Sequence, residues 1–566
     1  MMVRTIRQLT QTLMIRHADR LTALVETDGY NAQLCGHPVI ADKSGFTIGS
    51  LVQACTMLYL HAKKVGASET AAYQKRMLRM FDLVAESGEI EPWGKIGLLR
   101  SCRMLQLEQE LGLLSEGQLA QVCEKTAYDD FIDYKTVTLT TRSATNYYYV
   151  AMVCAGIREQ LGFESRGASD RFMEKLLSIM ESGSESGWMD EAPPHGRYDI
   201  YSVEMNLILL RELEELGKRV PEFLRRNVEH SARMMFDLRN TSGYGYSYGR
   251  SISMFGETKV VDYLAWAIEN GVFAGEEAAQ AFAFCVRCTE RIVGFWYDDS
   301  RQLCNLWLDG RTTENYRGIH RIFEVNMSFV FGLFEIHKAF TRIGLADTLP
   351  ESEIPEQESW TMTKTVFTKR EQSVRAAYIL HYGKHVFMLP LVGMGVYMGN
   401  AAYMPYPHEP HFLSAPPADE RGKMPFLVPT AQMTDGSLAM PVQYYTNIRE
   451  ELTKNGITIV AEGRMAAFVD NGGWGTDSCR ELPSGFEARY TFCGEKIRME
   501  FNMEDAAQAK ILYAGENLEH VAFLGAYRTE ERDVSEDICF RTPYGQLMAC
   551  LTAYYQGGSV VCEIKL

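Results

Sequence analysis

The chain has 566 residues, 46% of them hydrophobic and 23% charged, with a net charge of −16. That length exceeds one ordinary hydrophobic core, and the balance is that of a folded chain rather than a disordered one. The negative charge argues against nucleic acid as a partner, because phosphate binding needs a basic surface, and no run approaches the roughly 20 apolar residues that span a bilayer.

The opening segment, Met1 to Gln8, is interrupted by Arg4, Arg7 and Gln8, so it reads as an amphipathic helix and not as a secretory signal. A cytoplasmic location is therefore expected. The 13 cysteines agree with a reducing compartment: they are odd in number and sit mostly in apolar helical runs, where a thiol packs as a small hydrophobe. Cys285 and Cys288 form a C-x-x-C without a second pair at zinc-ribbon spacing, and packing is the expectation for both.

From Thr5 to about Leu345 the pattern is helical. Apolar residues recur at i, i+3, i+4 and i+7 near 5–27, 46–64, 67–87, 93–112, 116–133, 145–162, 169–183, 200–217, 220–238, 257–270, 276–296 and 318–343. Gly112, Gly162, Gly183, Gly217 and Gly271 stand where helices should end. Twelve helices in antiparallel pairs predict six hairpins closing into an (α/α)6-like helical toroid over residues 1–345.

Four segments of this half carry more chemistry than a scaffold needs. Asn146 opens a helix that continues Tyr147-Tyr148-Tyr149; it either caps that helix or offers a carboxamide to a sugar hydroxyl or carboxylate. The stretch from Ser186 to Glu204 runs into the next helix with Trp188, Asp190, Glu191, His195, Arg197, Asp199, Tyr201 and Glu204. Tyr201 and Glu204 are three apart and share a helix face. An exposed charged loop with Asp199 or Ser202 as a cap is the plain alternative. The turn from Asn240 to Ser251 has three glycines, three tyrosines (Tyr244, Tyr246, Tyr248) and Arg250, whose planar fork suits a carboxylate. Its spacing is wrong for a phosphate loop. Last, His320, Arg321 and Glu324 begin the final helix, either adding to a cleft or pairing along the helix.

Residues 346–358 are acidic, carry two prolines and read as a linker. From 359 to 566 the period changes to two, as in Gly456-Ile457-Thr458-Ile459-Val460 and Lys496-Ile497-Arg498-Met499-Glu500-Phe501, with turns at Asn471-Gly472-Gly473 and Gln556-Gly557-Gly558. An antiparallel β-sandwich is expected there. One segment breaks the pattern, Met404-Pro405-Tyr406-Pro407-His408-Glu409-Pro410-His411. Its three prolines exclude regular strand, and an edge connection is expected in preference to a loop over the cleft. A metal on His408 and His411 lacks a further ligand, so no metal and no cofactor are expected.

The helix from Asn146, the Gly187-Trp188…Asp190…Tyr198-Asp199-Ile200-Tyr201 loop and the Tyr248-Gly249-Arg250-Ser251 turn occur in the order found in a bacterial family of DUF2264-type toroids. Over roughly residues 140–265 the chain resembles that family. It differs in having Tyr147 where Trp is common, Ile200 between Asp199 and Tyr201, and Met254-Phe255 where Tyr-Arg is usual. The resemblance implies a toroid related in architecture to polysaccharide lyases and heparinase-like proteins, some relatives being classed as glucuronidases.

Two chemistries compete. Glycoside hydrolysis needs a carboxylic acid and a second carboxylate, for which Asp190, Glu191, Asp199 and Glu204 are candidates, with His195 beside them. Uronide β-elimination needs a base such as Tyr201 or His195 and a group such as Asn146 or Arg250 to neutralise the substrate carboxylate. Trp188, Tyr244, Tyr246, Tyr248 and His320 complete the binding candidates in either case. An intracellular enzyme meets imported oligosaccharides, which suits an exo-acting hydrolase. Hydrolysis of an anionic, uronic-acid-containing oligosaccharide is the first reading and elimination the second. A sugar-binding protein without catalysis, or a sugar isomerase, comes third. A homo-oligomer is left open, and neither a membrane nor a nucleic acid is expected as a partner.

Overall fold

The helical period is realised as twelve α-helices among the residues that the computed structural model describes, which are 4–40, 46–140, 145–185, 187–189, 199–313, 318–370, 373–393, 403–414, 426–454, 456–468, 479–516, 518–533 and 540–566. They are α1 (Ile6–Asp28), α2 (Phe46–Val65), α3 (Thr70–Glu86), α4 (Pro92–Leu107), α5 (Glu116–Lys125), α6 (Asn146–Leu161), α7 (Ala168–Gly183), α8 (Ile200–Glu215), α9 (Glu222–Asp237), α10 (Met254–Glu269), α11 (Gly275–Arg291) and α12 (Ile322–Ile343). Local chemistry sets their ends. Thr5 with Gln8 and Ser115 with Gln118 form capping boxes, Pro92 opens α4, and left-handed Gly162 and Gly344 close α6 and α12.

The even-numbered helices form an inner ring: α2 packs on α4, α4 on α6, α6 on α8, α8 on α10, α10 on α12, and α12 returns to α2. The odd-numbered helices lie outside, each antiparallel to a ring neighbour through a short turn. The start of α1 is fastened beside the end of α12, with Arg7 N donating to the Ala346 carbonyl at 2.9 Å and the Arg7 guanidinium paired with Asp347 at 2.7 Å. Close passage of α2 over α4 depends on missing side chains: a Cβ at Gly49 would stand 2.0 Å from the Gly94 carbonyl oxygen. Inside the ring, buried Glu212 of α8 receives Arg100 Nη2 at 2.7 Å and Arg103 Nη1 at 2.8 Å from α4. Burial alone would raise the Glu212 carboxyl, but the two guanidinium groups outweigh it and hold it below its usual range.

Because the hairpins are antiparallel, all six inner helices run the same way and present their N-termini on one face. That face carries the long connections, four of them built round hairpins of two-residue strands: Gln33–Leu34 with His37–Pro38, Ile132–Asp133 with Thr138–Leu139, Ser184–Glu185 with Trp188–Met189, and Tyr297–Asp298 with Leu303–Cys304. Strands this short carry no readable period, and the sequence reading has none of them.

The first long strand begins at Gln357. Gln357–Arg370, Ser373–Gly383 and His385–Leu391 make a three-stranded antiparallel sheet with Ser373–Gly383 in the middle. Both of its faces are covered. Ala377, Ile379, Val386 and Met388 belong to the helical core, whereas Ala376, Tyr378, Leu380, Phe387 and Leu389 belong to the β core. The near-continuous apolar runs there follow from burial on two sides. The remaining sheet has ten strands in the order Val521–Leu524, Ser559–Lys565, Lys496–Met503, Cys479–Cys493, Gly456–Phe468, Leu438–Thr453, Thr430–Met433, Ala506–Gly515, Ala549–Gln556 and Arg528–Asp533. Ser559–Lys565 and Ala549–Gln556 stand near opposite ends of that order, yet they are consecutive in sequence and touch, so the sheet curls back on itself.

Eleven cysteines have described side chains and each is a free thiol; Cys285 and Cys288 are buried in the helical core. Among the described residues no helix is long and apolar enough to cross a membrane.

Candidate active site

Asp199, at the start of inner helix α8, ties the site together. It caps the helix: Oδ1 accepts from Tyr201 N at 2.8 Å, and Ser202 Oγ accepts from Asp199 N at 3.1 Å. Its other oxygen, Oδ2, accepts from Arg250 Nε at 3.0 Å and from the Tyr403 hydroxyl at 2.6 Å. A fully buried carboxylate with an amide, a guanidinium and a phenol as donors is a compensated anion. That arrangement suits an anchor better than a proton donor for hydrolysis.

Arg250 reaches Asp199 because Gly249 lets the turn come close. Gly249 has φ +77°, and a Cβ there would lie 2.8 Å from Asp199 Cβ and 3.3 Å from Tyr403 Cε1. The guanidinium carbon then lies 4.1 Å from the centre of the Tyr201 ring, over its face. Arg250 was expected as a fork for a substrate carboxylate; part of that fork is taken by Asp199. Tyr201 itself is half-buried. One turn along α8, Glu204 pairs with Lys259 of α10 at 2.6 Å. Burial would lower the Lys259 ammonium, but Glu204 and Asp262 hold it above its ordinary range.

Trp188, Tyr246 and Tyr248 form a closed wall beside this group. Trp188 stacks on Tyr248 with centroids 6.1 Å apart, and Tyr246 lies 4.8 Å from Tyr248. All three are buried, so Trp188 and Tyr246, expected as stacking platforms, face each other rather than open space. Burial pushes both phenols well above the usual range, which keeps them protonated. Among the described residues the Trp188 indole N–H, the Tyr406 hydroxyl and Asn146 Oδ1 are buried without a hydrogen-bond partner, and orphaned polar atoms of this kind call for a ligand or water. Asn146 opens α6, the inner helix next to α8, on the same face of the ring.

Tyr244 and His320 go elsewhere. Asn240 Oδ1 accepts from Ser242 N and Tyr244 N at 3.1 and 3.0 Å, turning the chain so that Tyr244 leaves the other tyrosines. It meets Arg291, whose guanidinium carbon is 4.5 Å from its ring centre. His320 is exposed, and Glu324 pairs with Arg321 in place of His320. Among the described residues no contact joins His320 to Asp199, Tyr201 or Arg250. Asp190, Glu191 and His195 lie outside the described residues.

The 403–414 segment is an edge connection, as expected, with His408 bridged antiparallel to Met388 of the edge strand His385–Leu391, and it also covers the site. It lies on the N-terminal face of the ring: Tyr403 reaches Asp199, Ser247 Oγ donates to the His408 carbonyl at 3.4 Å, and Arg291 Nη2 donates to His411 Nε2 at 2.7 Å. Three prolines excluded strand, but nothing in them names the surface the loop would cover. His408 Nε2 is spent on the Met404 carbonyl at 2.9 Å. Burial lowers both His408 and His411 to about 3, so both are neutral, and each has its Nε2 engaged. Among the described residues no group of three or more His, Cys, Asp or Glu side chains is placed to hold a metal.

A second buried network, also unforeseen, lies beneath this loop. Glu257 in the first turn of α10 accepts from Arg291 Nε at 2.6 Å and from the Trp296 indole. Burial raises its carboxyl to about 7 against the pull of Arg291 and Trp296.

No family model matches the chain, and no curated protein does. Solved structures give loose likenesses. A heparan sulfate lyase HepC mutant from Pedobacter heparinus is 11% identical, covers 98% of this chain and 82% of its own, and has a TM-score of 0.26. Heparinase III is 8% identical over 98% and 84%, with a TM-score of 0.42. A possible member of the GH105 family from Salmonella enterica serovar Paratyphi A is 12% identical over 58% and 94%, with a TM-score of 0.36. With scores this low the reading of the site rests on its own residues.

Proposed function

We propose that the chain is a carbohydrate-active enzyme that cleaves a uronic-acid-containing oligosaccharide at the N-terminal face of the inner ring, by β-elimination. The observation that carries this reading is the pairing of half-buried Tyr201 with the Arg250 guanidinium over its ring, next to the inner helix that opens with Asn146. In elimination the phenolate form of Tyr201 takes the proton from C5 of the uronide and becomes a neutral phenol. The C4–O4 bond breaks, a C4–C5 double bond forms, and the leaving oxygen takes its proton from the Tyr201 phenol just formed, which returns to phenolate. Negative charge sits on the phenolate oxygen before transfer and passes to the substrate carboxylate as the C5 proton leaves, so each needs a positive partner. Arg250 serves the first. The Asn146 carboxamide, at the start of the neighbouring inner helix, serves the second through its amide hydrogens.

Hydrolysis is the second reading, and the carboxylate-rich stretch from Asp190 to Glu204 is what supports it. Two of those four carboxylates are already neutralised, Asp199 by Arg250 and Glu204 by Lys259. The hydrolytic pair would therefore be Asp190 and Glu191. The test is to incubate the protein with a panel of uronic-acid oligosaccharides and follow ultraviolet absorbance and product mass together. An absorbing unsaturated end without added water is the expected result. A saturated reducing end of plus one water would overturn elimination in favour of hydrolysis, and no product from any uronide would overturn both.

A further inference from the structure

The contacts of Asp199 join residues from both halves of the chain. Two donors share its Oδ2: Arg250 Nε from the toroid at 3.0 Å and the Tyr403 hydroxyl from the β-domain loop at 2.6 Å. Oδ1 is fixed by the first turn of α8, so the carboxylate cannot follow either donor without breaking its helix cap. The position of Arg250 over Tyr201 is thus set by how Asp199 divides its hydrogen-bonding capacity. Tyr403 is 2% exposed, and its ring also abuts Gly249, where a Cβ would meet it at 3.3 Å.

We infer that Tyr403 is a positioning residue for the toroid site, acting through Asp199 to hold the Arg250 guanidinium over the face of Tyr201. This rests on the reading of Tyr201 as the base. The physical argument is one of charge sharing. A phenol hydrogen bond to Oδ2 draws off part of the carboxylate's negative charge and leaves more of the Arg250 field for Tyr201. Without that hydroxyl, Asp199 draws the guanidinium more strongly to itself. The titratable and charged groups facing Tyr201 among the described residues are Asp199 and Glu204 from its own helix, Arg250 from the turn, Lys259 from α10, and Tyr403 through Asp199. Among these described groups Tyr403 is the one from outside the ring, so the β domain contributes to the site rather than merely capping it.

The experiment compares Tyr403→Phe and Asp199→Asn with the wild type, reading the pH profile of kcat/KM on a cleaved uronide. Tyr403→Phe should move the alkaline-rising limb to higher pH by roughly half a unit or more, because Tyr201 sees less positive charge. Asp199→Asn should move it the other way, because the Asp199 charge no longer draws on Arg250. Shifts of opposite sign support the inference; unchanged profiles, or shifts of the same sign, overturn it even if both variants lose activity. The same comparison is made without substrate, by difference titration of tyrosinate absorbance for each protein against its Tyr201→Phe counterpart. Should the wild type cleave no uronide, that titration still decides: a Tyr201 ionisation moved in opposite directions by the two variants upholds the coupling, and an unmoved one overturns it.

Discussion

The Arg250 guanidinium lies over the ring of Tyr201, its central carbon 4.1 Å from the ring centre, and is held there by a bond to Asp199 two residues before Tyr201 in sequence. A turn just before α10 thereby determines the electrostatic surroundings of a side chain in the first turn of α8. Planarity matters in this contact, since a flat delocalised cation can both stack on a ring and reach a carboxylate edge.

Arg250→Lys keeps the charge and loses the plane. Turnover of uronides should fall at least about tenfold, roughly 1.4 kcal/mol of transition-state binding, while neutral sugar analogues suffer much less. Steady-state kinetics on matched acidic and neutral substrates check this. Equal losses on both would mark Arg250 as a structural residue only.

Gly249→Ala places a methyl group 2.8 Å from Asp199 Cβ at a φ of +77°, where L-residues are strained. The turn must shift, and Arg250 with it. The expected cost is about 1–3 kcal/mol in stability, by the scale of overpacking and backbone strain, with a larger fractional loss in activity than in melting temperature. Denaturant unfolding and kinetics on the same preparation give the two numbers.

Closure of the ring has its own weak point at Gly49. Its Cβ would overlap the Gly94 carbonyl at 2.0 Å, and backbone cannot swing aside as a side chain can. Gly49→Ala should destabilise by at least about 3 kcal/mol, the upper end of overpacking costs. An equilibrium unfolding midpoint within error of the wild type would contradict the helix contact described.

Acid should loosen the protein before carboxylates are fully protonated. Burial lowers His17 and His381 to about 4, and His408 and His411 to about 3, each from about 6.5. A folded value below the unfolded one means the unfolded chain binds more protons in between. These groups therefore contribute stability that is fully present above about pH 6.5 and is lost as pH falls toward 4 and 3. Three of them lie where the β domain meets the toroid: His381 Nε2 on the Asp237 carbonyl, His408 beside Ser247, and His411 on Arg291. Unfolding free energy measured from pH 7 to pH 5 should decline steadily, and His17→Gln should flatten the slope. A pH-independent free energy over that range would show that these rings are not neutral in the fold.

The sequence by itself determined the elements whose signal is local. Periodic apolar spacing marked the helices, glycines such as Gly162 their ends, and alternating residues the strands after Gln357, because each depends on neighbours within a few positions. It also singled out Asp199, Tyr201 and Arg250, since unusual side chains at helix starts are visible without a fold. What those residues do to one another was decided in three dimensions. Arg250 was legible as a free fork and is instead partly bound to Asp199, a partner 51 positions away. Trp188 and Tyr246 were legible as platforms and are instead a wall, because exposure depends on what packs against a ring and not on the ring. Tyr403, 204 positions from Asp199, carried no signal at all. Its segment was marked only by prolines, which forbid a strand but cannot name a destination. Nor could composition tell that Ser373–Gly383 is buried on both faces, since that requires the toroid and the curled sheet to meet across it. Short-range order is written in spacing, whereas charge compensation, burial and the joining of the two halves arise only when distant segments exclude water together.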